Sequence, residues 1–208
     1  MDLDTLDTQG YLLLHGAVSP DRLLGLRTAF DAGVLPPADW PVPRSGEWRH
    51  ALLDLDPDVQ RVCRLPVLID GVRHLVKQPF FLAQVEGREP LQGNAPQQLH
   101  RDSAGFSGQY IAAMIWLDPF DADNGATQII PASHRNDCDP TAEPLVITGD
   151  AGDILLFDPE VLHGATTNHS GARRRSLLIS YAAVTLRDQH TATEALRNVR
   201  MDTSETFA

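Results

Sequence analysis

The sequence predicts a mainly β protein, a sandwich or barrel, with helices flanking it. Two observations carry this. From Phe80 onward the chain is a succession of short apolar runs, "FFLAQVEG", "QYIAAMIWL", "ATQIIP", "PLVIT", "DILLF" and "RRSLLISYAAV", separated by turn-forming residues. Short strands at regular spacing close into sandwiches or barrels, because each can bury its faces only against other strands. Ahead of them the periodicity is helical.

The N-terminal part, about 1–78, opens with a short strand at Tyr11–Leu14, followed by a helix with Ser19 at its N-cap and Pro20 in its first turn. Leu23, Leu24, Leu26 and Phe30 supply the stripe that this helix is expected to bury. "GVLPPADWPVPRSGEWRH" holds too many prolines for regular structure and reads as a loop. "LLDLDPDVQRVCRLPVLIDGVRHLVK" predicts two short helices broken at Pro66. The β core is expected over about 79–187, which makes 1–208 one domain. Within the core, Asn124-Gly125 is a strong hairpin signal and "GDAGD" turns the chain before Ile154. The polar "RNVRMDTSETFA" reads as a loosely packed tail.

Composition narrows the function. With 28 acidic and 17 basic side chains the formal charge is −11, which repels a nucleic-acid backbone. No apolar run approaches the length of a membrane span. The start "MDLDTLDTQGY" lacks a basic, apolar leader, and Cys63 and Cys138 carry no motif, so the expected home is a reducing cytoplasm. The expected partner is a small-molecule substrate, with no nucleic acid and no membrane; the oligomeric state is left open.

The chemistry gathers in "QLHRDSAG". In an extended segment His100 and Asp102, two apart, point to the same side and can grip one ion. An H-x-D pair alone is weak, but His163 follows the strand "DILLF" after a short turn and can supply a third ligand. Two imidazoles and a carboxylate on one face of a metal form the facial triad of non-heme Fe(II) oxygenases, leaving three positions open. Arg174, eleven residues beyond His163, begins an apolar strand where a buried guanidinium needs a planar, bidentate partner. 2-Oxoglutarate offers one: its keto-acid end chelates the iron and its distal carboxylate meets the arginine. Arg173 and Arg175 flank this position, and strand alternation turns only one phase inward.

Several ordered segments resemble the phytanoyl-CoA dioxygenase family of Fe(II)/2-oxoglutarate-dependent oxygenases. They are "GYLLLHGAVSPDRLLGLR", "LHRDSAG", "IAAMIWLDPFDADNGATQIIPASHR" and "AGDILLFDPEVLHGATTNHSGARRRSLL". The resemblance implies a double-stranded β-helix (jelly-roll, cupin-like) core, iron on His100, Asp102 and His163, and 2-oxoglutarate on Arg174, with O2 as oxidant. It also places Gln84 and Met114 on pocket-lining strands, where either can touch the co-substrate. The chain departs from the pattern twice: Ala132 stands where the family usually has Gly, and Ala165 where a hydroxyl often helps to bind 2-oxoglutarate, with Thr166 or Thr167 as substitutes. Arg44 and Trp48, in the proline-rich loop or at its edge, and Arg101 and Ser103, beside the H-x-D pair, are substrate-side candidates. His134 reads as a turn or packing residue and His169 as a solvent residue.

The implied activity is hydroxylation of a small-molecule C–H with release of succinate and CO2; desaturation, cyclisation or epimerisation needs only a different fate of the substrate radical. Asp102 argues against halogenation, which needs a small residue at that position. A non-catalytic cupin-type metal-binding jelly roll is the rival from another class, and Arg174 discriminates, since a structural metal site has no use for a buried guanidinium.

Overall fold

Strand pairing in the computed structural model, which describes residues 1–102, 106, 108–135 and 139–208, divides the β core into two antiparallel sheets. The strands are β1 (Tyr11–Leu14), β2 (Val34–Leu35), β3 (Trp48–Ala51), β4 (Phe80–Pro90), β5 (Tyr110–Trp116), β6 (Thr127–Ile129), β7 (Leu145–Val146), β8 (Ile154–Phe157), β9 (His163–Ala165) and β10 (Ser176–Ala183). Seven form a large sheet in the order β1-β8-β5-β10-β4-β3-β2, and three form a small one in the order β7-β6-β9. This is the expected jelly-roll arrangement. β1, β2 and β3 come from the N-terminal part, so the large sheet draws on both sides of residue 78, and β2 with the start of β3 corrects the loop expected there, since the prolines lie between these strands and not in them.

Period-two alternation decides what each face of the large sheet touches. Ile111, Ala113 and Ile115 of β5, Ile154 and Leu156 of β8, and Leu177, Ile179 and Tyr181 of β10 share one buried cluster with the helices. Their neighbours Ala112, Trp116, Leu155 and Phe157 face a second cluster with Ile129 of the small sheet. Both faces are therefore covered, which is why "ILLF" is buried throughout rather than alternating.

The helical cover comprises α1 (Leu3–Gln9), α2 (Pro20–Gly33), α3 (Pro57–Val62) and α4 (Pro66–Val76). α1 is N-capped by Asp2, which accepts from the Thr5 amide, and it stops at Gly10 with φ 78°. α2 buries Leu23, Leu26 and Phe30, whereas Leu24 is 71% exposed. Leu24 lies about 100° around the helix from Leu23, off the stripe, which corrects the expected buried set. α4 lies close on β8: a Cβ at Gly71 would stand 2.4 Å from Leu156 Cδ2.

Two further expectations are corrected. Asn124-Gly125 makes a turn, with Gly125 at φ 85°, but the strands it joins, β5 and β6, lie in different sheets, so it is a corner between sheets and not a hairpin. The C-terminal segment is not loose. Asp54, almost fully buried, accepts from the amides of Arg200 and Met201 and from the Arg200 guanidinium. Phe207 pairs its backbone with Phe80 and stacks on the Phe80 ring at 5.3 Å. Arg64 and Arg187 add bonds to Glu205, Thr203 and Thr206, and the polar composition of the tail conceals this because all its partners lie elsewhere in the chain. Before it runs α5 (Arg187–Arg197), none of whose residues is buried.

Candidate metal centre and its neighbouring cavities

His100 and His163 are distant in sequence and joined by a two-bond antiparallel bridge. The His100 amide donates to the His163 carbonyl at 2.9 Å, and the His163 amide returns the bond at 3.1 Å. His100 thus docks beside the first residue of β9 outside any longer strand. The Asp102 amide donates to the Pro159 carbonyl, which swings its carboxylate back over both imidazoles. Asp102 Oδ1 lies 3.3 Å from His100 Nε2 and Oδ2 lies 3.4 Å from His163 Nε2. One ligand atom from each residue falls within 4.8 Å of the others. Adjacent ligand atoms of a metal with bonds of about 2.1 Å stand about 3 Å apart, so the set fits a single small divalent ion.

The backbone also sets the tautomers. His100 Nδ1 sits 2.8 Å from the Gln98 carbonyl and His163 Nδ1 sits 2.8 Å from the Val161 carbonyl. A carbonyl only accepts, so each Nδ1 carries a proton, and each Nε2, facing Asp102, is the atom that donates to it when the ring is protonated and binds a metal when it is not. Burial pushes the Asp102 carboxyl pKa up, but the bonds from His100 and His163 outweigh it and hold the group far below the usual carboxylate range. The same bond to Asp102 raises the His100 pKa.

Beside the triad a cavity is lined by Trp48, Gln97, Met114, Thr127, Phe157 and Arg174, among others. Of three consecutive arginines, Arg173 pairs with Glu89 and Asp31, and Arg175 with Asp118 and Asp31. Arg174 points the other way and is 1% exposed. Its Nη2 donates to Thr127 Oγ1 at 3.0 Å and approaches Met114 Sδ at 3.6 Å, its plane lies over the Phe120 ring at 4.1 Å, and its Nε has no partner. No carboxylate among the described residues pairs with it. Burial, and secondarily the charge of Arg88, push its pKa down to about 9. A buried guanidinium with a free donor beside an open cavity fits an anionic guest.

The remaining sequence candidates fall in three places. Met114 and Trp48 line the Arg174 cavity. Gln84 and Arg44 line a second cavity that opens beside Asp102, where Gln84 accepts from Arg197 at 2.9 Å; the structure thus separates Gln84 from Arg174. Arg101 turns away from the triad and donates to the carbonyls of Ser133 and Glu160. Ser103 and Cys138 lie outside the described residues. His134 packs its ring against Gly10, where a Cβ would stand 2.5 Å from its Nδ1, and reaches the Asp7 carbonyl, a packing role. His169 is exposed.

Sequence reasoning missed Thr127. It pairs across β6 and β9 with Ala165, so a hydroxyl absent at 165 stands on the adjoining strand, while Thr166 Oγ1 is turned to the Ala126 carbonyl. The only signal was complementarity: a missing hydroxyl at one position of a ladder and a threonine opposite. Ala132 adopts φ 62°, a left-handed conformation that explains why glycine is usual there. No helix among the described residues is long and apolar enough to cross a membrane.

The profile of the Phytanoyl-CoA dioxygenase (PhyH) family matches residues 6–176. A "Probable alpha-ketoglutarate-dependent hypophosphite dioxygenase" of Stutzerimonas stutzeri is 28% identical over 151 residues, covering 60% of this chain and 53% of that protein. L-proline trans-4-hydroxylase of Streptomyces griseoviridis is 25% identical over 185 residues, covering 68% of this chain and 69% of that protein. The chain thus spans about half the length of the first relative and two thirds of the second. HygX from Streptomyces hygroscopicus, solved with nickel, 2-oxoglutarate and hygromycin B bound, superposes with a TM-score of 0.73 at 17% identity, covering 88% of this chain and 86% of that one. EctD from S. alaskensis in its apoform gives 0.71 at 20% identity, covering 88% and 76%. These structural likenesses show a shared fold. The family profile runs through both sheets and the His-Asp-His cluster, and the chain belongs to the phytanoyl-CoA dioxygenase (PhyH) family.

Proposed function

We propose that this chain is an Fe(II)- and 2-oxoglutarate-dependent dioxygenase that hydroxylates a C–H bond of a small molecule. The observation that carries the reading is the pairing of a tautomer-set His-Asp-His cluster with an inward guanidinium that lacks a carboxylate partner, across one cavity. His100, Asp102 and His163 would hold the iron. Arg174 would take the distal carboxylate of 2-oxoglutarate, with Thr127 as the hydroxyl beside it and Met114 as a wall of the pocket. Bound iron and 2-oxoglutarate supply an O2-derived oxidant, with succinate and CO2 as co-products.

The chain's own work is positioning. The Gln98 and Val161 carbonyls fix both imidazoles, so each presents Nε2 without reorganisation. Phe157 and Trp48 supply apolar wall beside Arg174, which lowers the local dielectric and strengthens its contact with an anion. The similar proteins include L-proline trans-4-hydroxylase and a probable hypophosphite dioxygenase, which supports oxidation of a small molecule. A buried Arg174 with no carboxylate partner among the described residues has no purpose in a non-catalytic metal-binding jelly roll. A reducing cytoplasm, which keeps iron ferrous, is a compartment that suits this reading.

The test is succinate formation by purified protein with Fe(II), ascorbate, 2-oxoglutarate and a panel of small carboxylates, amines and sugars. Succinate above the metal-free control, lost in His163→Ala, supports the reading. Tight iron binding with no 2-oxoglutarate binding would favour the cupin-type alternative.

A further inference from the structure

The second cavity, of about 280 Å³, is walled by β4, β5, β10 and α5 and lined by Arg44, Gln84, Glu86, Arg88, Tyr110 and Arg197 among others. It shares Asp102, Arg88 and Leu178 with the Arg174 cavity, so whatever fills it abuts the metal cluster. Its charges do not balance. Three guanidinium groups face one carboxylate other than Asp102, and that carboxylate, Glu86, is buried with both oxygens engaged: Oε1 by Arg88 at 2.7 Å and Oε2 by Arg44 at 3.0 Å. Burial raises the Glu86 pKa, but Arg88 and Arg44 more than reverse this, so Glu86 is ionised and unavailable as a proton donor to a guest.

Among the described residues Arg197 bonds to neutral acceptors, namely Thr193 Oγ1, Gln84 Oε1 and the Ala83 and His190 carbonyls, and to no carboxylate. Burial pushes its pKa down by more than the surrounding Tyr110, Glu194 and Glu86 push it up. Arg44 Nε is buried without a partner. With Asp102 set against a divalent ion, two positive charges are left over in a half-enclosed polar hollow, and only an anion offsets them. Next to it, Phe106 and Leu186 line an adjoining recess that also touches Asp102 and Arg197, a surface suited to carbon rather than charge.

We propose that the substrate is a small organic anion whose carboxylate or phosphoryl-type oxyanion is held by Arg44, Arg88 and Arg197, with its carbon skeleton toward Asp102. This rests on the dioxygenase reading for the role of the cavity; without a metal Asp102 offsets one charge and an excess of one guanidinium remains. Arginine forks suit both oxyanions.

Two arms test it. In the first, inorganic phosphate is titrated calorimetrically into metal-free full-length protein. Millimolar binding is expected, unchanged within about twofold in Arg174→Gln and weakened roughly tenfold or more in Arg197→Gln and in Arg44→Gln, with Arg197→Lys in between. If Arg197→Gln unfolds, Arg44→Gln, altered in a loop, decides. Binding that vanishes in Arg174→Gln but survives both other changes would put the anion in the wrong cavity and overturn the proposal, as would no binding at all. In the second arm, succinate is measured with matched acids, primary amides and phosphonates. A preference of at least about tenfold in kcat/KM for acid or phosphonate over amide is expected, and the better of the two identifies the oxyanion. Amides turned over as well as acids would overturn it. Phosphate binding at the three arginines with no succinate from any compound would instead keep the charge assignment and reject the dioxygenase reading.

Discussion

Replacing Arg174 by methionine is expected to stabilise the ligand-free protein while disabling co-substrate binding, a combination that only a ligand-directed charge produces. The guanidinium is held at a pKa of about 9 by burial and by Arg88. Against an ordinary value of about 12.5, that depression corresponds to roughly 5 kcal/mol for keeping the charge in the empty pocket. Folded-state pKa below unfolded pKa in a base means that the unfolded chain binds the proton more tightly. The cost is therefore complete at neutral pH and fades only as pH rises above about 9. Met removes the charge but fills the space less well, which returns roughly 2–3 kcal/mol. The net is a gain of about 2 kcal/mol, or roughly 4–8 °C in Tm for a chain of this size. Calorimetry of metal-free protein reads the first effect. The second is a loss of roughly 30- to 100-fold in 2-oxoglutarate affinity for the Fe(II) form, from losing a charge-assisted contact of ~2–3 kcal/mol. Arg173→Ala, which removes a side chain paired with the buried Glu89 and with Asp31 and not with Thr127, should leave that affinity intact. An Arg174→Met protein that melts lower and binds 2-oxoglutarate normally would refute the reasoning.

Three further outcomes follow from the same structure. Asp102→Ala should abolish succinate formation even in excess Fe(II), and Asp102→Glu should fail largely too, because an added methylene displaces the carboxylate from both Nε2 atoms; near-normal turnover in either would remove Asp102 from the triad. Ala132→Gly should raise stability by up to about 1 kcal/mol, since glycine tolerates φ 62° without the Cβ clash, although it loses more chain entropy; an unchanged or lowered denaturation midpoint counts against strain there. Burial, then Arg88, push the His50 pKa down to about 4, so its neutral form is favoured in the fold and the unfolded chain takes up the proton first. Stability should fall as pH drops from about 6.5 toward 4, and His50→Gln should flatten part of that slope in pH-dependent urea melts, whereas an identical slope would assign the acid sensitivity elsewhere.

Local pattern accounts for what was legible. The strands from Phe80 onward show because each is a short apolar run closed by turn residues, and the metal cluster shows because His100 and Asp102 share one short stretch with a histidine beyond a later strand. What stayed hidden depends on partners far away in the chain. Thr127 acquires meaning only through its register with Ala165, and Gln84 moves to a different cavity because Arg197 claims its side-chain carbonyl. The tail looked loose because its partners, among them Asp54 and Phe80, are distant in sequence and no local pattern reveals them. Asn124-Gly125 turned the chain as its chemistry demands, yet which sheet receives the next strand is settled by packing and not by the turn.

The central claim, that His100, Asp102, His163 and Arg174 form one site for Fe(II) and 2-oxoglutarate, is tested most directly by anaerobic titration followed in the visible spectrum. The account predicts one Fe(II) per chain, with a weak charge-transfer band that develops only when 2-oxoglutarate is added. In Arg174→Met the band should require roughly 30- to 100-fold more 2-oxoglutarate. Fe(II) bound without any band, or a band indifferent to Arg174 and His163, would contradict it.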